Sequence, residues 1–371
     1  MRKWMSKKAV GLLCLCLTGA LLGGCAATEK SNSETVLFEY DGQKVYLDEA
    51  WVYAKTIQSQ YESWYGSSIW DYEVNDEDGN PTTMEELTKK DMITQIKMVK
   101  FLSTEAEKQG LSLTDEEKET AKTNAESFMS SVGEDDLEQT GITEDTMIKV
   151  YEENTLASKY HDQIVEEGNI TVSDEEARQY KTYNLLFETF DYDDDGNKVE
   201  YSAKKKAAQK KKAEEALARI RAGEDDLEAL AEEYGADKSS EYTFGDDETT
   251  VAEYREAAMK LKDNEVSDIV ESEFGYHIIK MLDSNDKEAT EEKKEELLDE
   301  KETEYFTEKY GELTKDLEAK WDFDKDVNQK AYAKITFKED ETESTTSEST
   351  TSADTTTASE STTSAEATTA E

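Results

Sequence analysis

The apolar residues of this chain keep a helical period for nearly a hundred residues and abandon it at Tyr183. From about Met84 to Gln109, Met92, Ile96, Val99, Phe101 and Leu102 recur at helical spacing, and Gly110 sits where a helix-ending glycine belongs. Thr114-Asp-Glu-Glu117 and Ser173-Asp-Glu-Glu176 are capping boxes that open further helices, and another helix covers about Glu144–Glu167. Residues 84–180 therefore read as all-helical. Tyr183-Asn-Leu-Leu-Phe-Glu-Thr-Phe190 instead has strand composition. Helices follow at about 203–222, Asp226–Tyr234 and Glu253–Leu261, then strands at Val266–Val270 and Tyr276–Leu282. Helical period returns from about Thr290 to Trp321, and Ala331–Phe337 reads as a last strand. The fold class is α+β: a mostly helical, discontinuous domain (35–180 and 284–338) with a small α/β unit (181–283) inserted into it.

The two ends read differently. Residues 1–24 carry four basic residues, then an apolar run from Ala9 to Leu22, which is the pattern of a secretory signal and short for a membrane span. Leu22-Gly23-Gly24-Cys25 resembles the bacterial lipobox, so Cys25 is expected to carry lipid, with 25–34 a linker. Cys14 and Cys16 would leave with the signal, which excludes thiol and disulfide chemistry. Residues 339–371 hold 19 Ser and Thr, nine acids and five Ala. Such a segment has no large apolar side chain to offset ordering entropy and is expected to be a disordered tail.

Between them, Thr35–Leu47 reads as a hairpin turning at Asp41-Gly42, and Asp48 as the N-cap of a helix through Trp51, Ala54, Ile57 and Tyr61. With 43 Lys and Arg against 89 Asp and Glu, the net charge is −46. Nucleic-acid phosphate would repel such a chain, so no nucleic-acid partner is expected. Anionic headgroups would repel it too, so membrane attachment has to come through the N-terminal lipid. Two histidines and three cysteines are too few for a zinc site, and no metal or cofactor is expected. Asp191-Tyr-Asp-Asp-Asp-Gly196 copies half of an EF-hand loop, but Ser202 stands where the bidentate Glu belongs, so it reads as an acidic turn. His161 reads as a surface residue.

Three stretches of the inserted unit resemble the parvulin (PpiC-type) peptidyl-prolyl isomerase domain. They are Lys181-Thr-Tyr-Asn-Leu-Leu-Phe187, the helix pair Ala213–Tyr234, and Glu265–Val270 followed by Phe274-Gly-Tyr-His-Ile-Ile-Lys280. The whole layout resembles the PrsA/SurA type of extracytoplasmic foldase, which has helical chaperone segments on both sides of such a domain. Unfolded or newly secreted polypeptides are the partners this implies.

The resemblance also assigns residues. The family's second histidine falls on His277, its nearby threonine on Ser272, its first histidine on Asn184, and its Cys or Asp position near Asp237. The central loop falls on 239–245, with Tyr242 and Phe244. The pocket methionine falls on Thr250 and the pocket phenylalanine on Tyr254. Isomerising an X-Pro bond requires crossing about 18–20 kcal/mol without breaking a bond, so an apolar pocket and a few placed hydrogen bonds suffice. Asn184 can still bond His277, whereas Thr250 and Tyr254 bring hydroxyls into the proline pocket. Two readings follow: an isomerase, or a non-catalytic holdase with a degenerate parvulin unit. The seven aromatics of 51–72 can be core or a groove for clients. The six lysines of 204–212 can be a solvated face or a contact for anionic clients near the isomerase site.

Overall fold

Asp41 and Gly42 both take positive φ, 48° and 75°. That turn closes β1 (Val36–Tyr40) onto β2 (Gln43–Tyr46) in antiparallel register. The structure, a computed structural model, describes residues 31–76, 78–223, 226–246 and 249–338. The signal segment, Cys25 and the Ser/Thr-rich tail lie outside them. Helix α1 (Leu47–Tyr65) starts two residues earlier than the capping pattern implied, with Tyr46 at the N-cap. Asp48 lies inside the first turn, buried, and accepts a hydrogen bond from the Thr146 hydroxyl at 2.9 Å. A short hairpin of β3 (Glu73–Asn75) and β4 (Pro81–Thr83) leads into α2 (Met84–Lys108), capped by the Thr83 hydroxyl.

Helices α3 (Asp115–Ser131), α4 (Glu134–Thr140) and α5 (Glu144–Gly168) complete the first helical run. The capping box of α3 is whole: Thr114 Oγ1 accepts from the Glu117 amide, and Glu117 Oε2 accepts from the Thr114 amide at 2.6 Å. The second box is only half made. Ser173 caps α6 (Asp174–Ala177), but the Glu176 carboxylate bonds Lys301 instead, and the helix lasts one turn. The all-helical reading up to residue 180 is corrected accordingly, because strand β5 (Gln179–Glu188) begins at once.

A hairpin of β6 (Phe190–Tyr192) and β7 (Lys198–Glu200) follows, then α7 (Ala203–Arg221), α8 (Leu227–Tyr234), β8 (Ser240–Gly245), α9 (Ala252–Ala258), β9 (Val270–Ser272) and β10 (Gly275–Asp283). The four longer-range strands form an antiparallel sheet in the order β8-β5-β10-β9. Strand β8 was not legible as a strand. Of the stretch 266–270 only Val270, the start of β9, is in a strand, and Val266 makes only an isolated bridge to Lys280. Ser267 explains the break: its hydroxyl takes the Ile279 amide at 2.9 Å, which a backbone carbonyl would take in a regular ladder. One sheet face is apolar, where Tyr183, Leu185, Phe187, Tyr276 and Ile278 pack on α7 and α8. On the other face, Tyr180, Phe244, Ile279 and Met281 pack with Tyr254 and Ala258 of α9.

The chain returns through α10 (Lys287–Glu318), α11 (Phe323–Asp326) and α12 (Gln329–Tyr332). Phe306, Val327, Ala331, Tyr332, Ile335 and Phe337 join one core with residues from Leu37 to Ile164. Ala331–Phe337 is thus no strand. The start of its backbone is taken up by the Asn328-capped turn of α12, and the Phe337 ring packs at a tilt against Trp70 at 4.4 Å. His161 is not a free surface residue: its ring lies 4.3 Å from that of Phe306. The aromatics of 51–72 divide. Trp51, Tyr53 and Trp70 are core, whereas Trp64, Tyr65 and Tyr72 are exposed.

Candidate functional site

Strand alternation assembles the site. His277 of β10 pairs with Leu186 of β5, and Asn184 is paired one pleat away with Ile279, so His277 and Asn184 are diagonal neighbours on the α9 face. His277 Nδ1 lies 3.0 Å from Asn184 Oδ1, and His277 Nε2 lies 2.7 Å from Ser272 Oγ. Ser272 also accepts from the Phe274 amide at 3.1 Å. These bonds run in one direction. The Phe274 N–H donates to Ser272, the Ser272 hydroxyl donates to Nε2, and Nδ1–H donates to the Asn184 carbonyl. Asn184 Oδ1 can only accept, which puts the proton on Nδ1, and a neutral ring then leaves Nε2 as the acceptor for the Ser272 hydroxyl. Burial pulls the His277 imidazole down from 6.5 to about 4, against an opposing pull from the Glu253 carboxylate. The ring is therefore neutral at neutral pH.

Gly275 makes the short β9–β10 connection possible. Its φ is 142°, and a Cβ there would lie 2.2 Å from the Phe187 carbonyl oxygen. That close approach keeps β9 short and adjacent, with Ser272 within hydrogen-bond reach of the His277 ring edge.

The tyrosines wall the site. Tyr254 packs edge-on against His277 at 5.4 Å and against Tyr242 and Phe244 at 5.9 and 5.8 Å. The Tyr254 hydroxyl meets Thr182 Oγ1 at 2.8 Å, and burial pushes its phenol up. The Thr250 hydroxyl meets the Tyr242 hydroxyl at 3.1 Å. Both hydroxyls that differ from the parvulin pattern thus have partners, and what Tyr254 presents to His277 is a ring. Thr182 was missed in the sequence. It lies two residues before Asn184 on the same face, so strand alternation alone could have flagged it. Tyr242, 39% exposed, and the half-buried Ser272 and Asn184 form the accessible rim, while His277, Thr250, Tyr254 and Phe244 are buried.

Asp237 is placed elsewhere. It is exposed and lines a cavity of about 430 Å³ beside Tyr183, α8 and the start of β8, with Glu228, Glu232 and Glu241. That cavity holds none of His277, Asn184 or Ser272. Tyr183, Ala231 and Ala236 give it some apolar wall, but it is ringed by four carboxylates and lacks the hydrogen-bonded trio, so the hydrogen-bonded face, not the cavity, is the candidate site. The lysines of 204–212 are also apart from His277, because α7 packs on the opposite sheet face. Lys206 pairs with Glu200 and Lys211 with Glu215. In the acidic turn, Asp193 Oδ1 accepts from the amides of Asp195 and Asn197, so that carboxylate is occupied in closing the β6–β7 hairpin. Among the described residues no cluster of His, Cys, Asp and Glu could hold a metal ion, and no helix is long and apolar enough to cross a membrane.

Residues 192–283 match the family described as the PPIC-type PPIASE domain, rotamase. The foldase protein PrsA of Caldanaerobacter subterraneus subsp. tengcongensis is 27% identical over 321 residues, covering 84% of this chain and 95% of that one. PrsA of Geobacillus kaustophilus is 42% identical over a shorter stretch of 92 residues, 24% of this chain and 32% of that one. A crystal structure of the peptidylprolyl isomerase PrsA from Bacillus cereus shares 22% identity and covers 72% of this chain and 99% of that one, with a TM-score of 0.29.

Proposed function

We propose, for a chain that carries a PPIC-type domain and is similar to PrsA foldases over most of its length, that it is a lipid-anchored extracytoplasmic foldase that isomerises X-Pro bonds in newly secreted polypeptides. The observation that carries this reading is the one-way hydrogen-bonded chain Phe274–Ser272–His277–Asn184.

Rotation about an X-Pro bond removes amide resonance and leaves the carbonyl and the prolyl nitrogen with altered polarity. The protein needs to move no proton from solvent. His277 is buried and acts as a positioning residue, holding the Ser272 hydroxyl in one orientation and the Tyr254 ring upright. Ser272, Asn184 and Tyr242, at the accessible rim, are the groups able to touch a twisted amide. Tyr254 and Phe244 supply the apolar wall. Cys25 is the residue proposed to carry the lipid.

Exchange NMR on short X-Pro peptides tests the reading, with His277→Ala and Ser272→Ala as controls. Uncatalysed exchange takes tens to hundreds of seconds. Acceleration that is lost in both variants is the expected result. Absence of acceleration on every peptide, from folded protein, would sink the isomerase reading.

A second reading has its own observation. Trp64, Tyr65 and Tyr72 are 64%, 62% and 68% exposed on the helical part, far from the sheet site in sequence. Apolar surface of this kind suits a holdase for unfolded chains. Suppressed aggregation of a proline-free client, weakened by Trp64→Ser with Tyr65→Ser, would support it independently of isomerisation.

A further inference from the structure

The cavity beside α8 takes no part in the hydrogen-bonded site, yet its polar lining is mostly without partners. Glu228, Glu232, Asp237 and Glu241 ring it, and among the described residues only Glu241 of these four has a cation, Lys181 at 2.8 Å. Tyr183 lines it too, 7% exposed, and its hydroxyl has no hydrogen-bond partner among the described residues. Burial and the carboxylates of Glu228, Asp226 and Glu241 push that phenol up, so the hydroxyl stands among those charges. A phenolic oxygen can accept, so an incoming N–H would give it the partner it lacks.

The lining selects the chemistry of an occupant. Four carboxylates favour positive charge, but among the described residues no such group could hold a metal ion. Ala231, Ala236 and the Tyr183 ring offer apolar surface to an aliphatic stem. A stem that ends in a cation is a lysine or arginine side chain. A volume of about 430 Å³ lies at the small end of ligand cavities and suits one such side chain.

The backbone beside the cavity is open as well. Strand β8 is an edge of the sheet. The Gln179 N–H and C=O bond Thr290 and Asp286, away from β8, whereas the Leu186 amide turns toward Ser239, on the β8 side. Strand alternation then makes Tyr180, Thr182 and Asn184 the residues of β5 that bond β8, through Phe244, Tyr242 and Ser240. The N–H and C=O groups of Glu241 and Thr243 therefore point outward, and among the described residues nothing takes them. Glu241 pairs with Tyr183, so a strand added at this edge would carry the side chain opposite Glu241 on the cavity's face.

We infer that the β8 edge and this cavity form one site for an extended polypeptide segment bearing a lysine or arginine. Its backbone adds a strand to β8, and its cationic side chain enters the cavity, stem against Ala231 and Ala236 and head among the carboxylates and the Tyr183 hydroxyl. No proline is needed, and His277 lies outside the site, so the inference stands whether or not the chain isomerises X-Pro bonds.

NMR titration of the full chain tests it with a short proline-free peptide of alternating Thr and Val around one central Lys, against the same peptide with Gln in that place. The Lys peptide should bind about fivefold tighter and shift the Glu241 and Thr243 amides. Glu228→Gln with Glu232→Gln should cut the preference to about twofold or less, whereas Glu292→Gln with Glu295→Gln, the same charge loss on α10, should leave it intact. All four side chains are exposed, so neither pair is expected to disturb folding. N-methylating the edge-facing amides should weaken both peptides about tenfold. Equal affinity for the Lys and Gln peptides overturns the inference. So does a preference that both pairs of variants reduce alike, which marks general attraction to an acidic chain. Unweakened binding of the N-methylated peptides, or no binding by any peptide, overturns it too.

Discussion

The helical core and the sheet each bury polar groups, by opposite means. In the helical part, Lys100 of α2 is 3% exposed and is paired with Glu49, itself 2% exposed, and with Glu153 at 2.5 Å. Lys149 adds a second cation to Glu49 at 3.1 Å. Burial pushes the Glu153 carboxyl up despite the pull of Lys100. In the sheet, the buried imidazole is kept neutral and its two nitrogens are matched to one donor and one acceptor. A buried ion pair loses hydration on both partners and leaves a bare charge if one is removed, whereas a neutral chain of bonds loses at most one partner. The first arrangement ties helices together; the second can sit at a groove without attracting ions or protons.

The sharpest way to break this contrast is Lys100→Met. It should destabilise the helical part by about 2–3 kcal/mol, because Glu49 keeps only the half-exposed Lys149 as a cation, and Lys100→Met with Glu49→Met should recover most of that. Urea unfolding followed by tryptophan fluorescence measures it, and a loss below 1 kcal/mol would show that the cluster is hydrated. X-Pro exchange per folded molecule should stay unchanged.

Next comes pH. The folded pKa of His277 lies below its unfolded value, so neutral burial contributes stability above pH 6.5 that is lost as pH falls from 6.5 through about 4. The shift amounts to about 3 kcal/mol. Hydrogen exchange of β5 and β10 amides in the wild type should show this loss relative to His277→Gln, which has no proton to take up. Parallel pH profiles would contradict a buried neutral ring.

Asn184→Ala removes the acceptor for Nδ1–H. Because Asn184 is half-buried, water can substitute in part, and a cost of about 1 kcal/mol is expected with a larger loss of exchange activity. Smallest of all is Tyr254→Phe. Thr182 keeps the Tyr242 carbonyl as a partner at 3.0 Å, so stability should change by less than about 1 kcal/mol and activity should persist. A collapse of activity in that variant would mean that the hydroxyl, and not the ring, matters.

These predictions also divide what was readable from what was not. Local signals held where the interaction that satisfies them is local. Asp41-Gly42 turned its hairpin, Thr114 capped its helix, and the Phe274-Gly-Tyr-His run placed His277 on a strand beginning at a glycine that tolerates no Cβ. Signals failed where a distant partner outbid the local one. Glu176 left its capping box for Lys301, Asp48 entered the helix to meet Thr146, and Ser267 took an amide from Ile279 and broke a strand.

The site shows the same division. The sequence by itself determined which side chains were available, because Asn184, Ser272 and His277 are fixed by position along their strands. Only the tertiary structure decided that the antiparallel register sets Asn184 beside His277, that Thr182 accommodates the Tyr254 hydroxyl, and that Asp237 lies by another cavity. It also decided that Phe306 and Phe337 close a core begun by Leu37. Periodicity and capping are properties of a few consecutive residues, whereas register, burial and hydrogen-bond partners depend on which distant segments meet, and no stretch of chain carries that information alone.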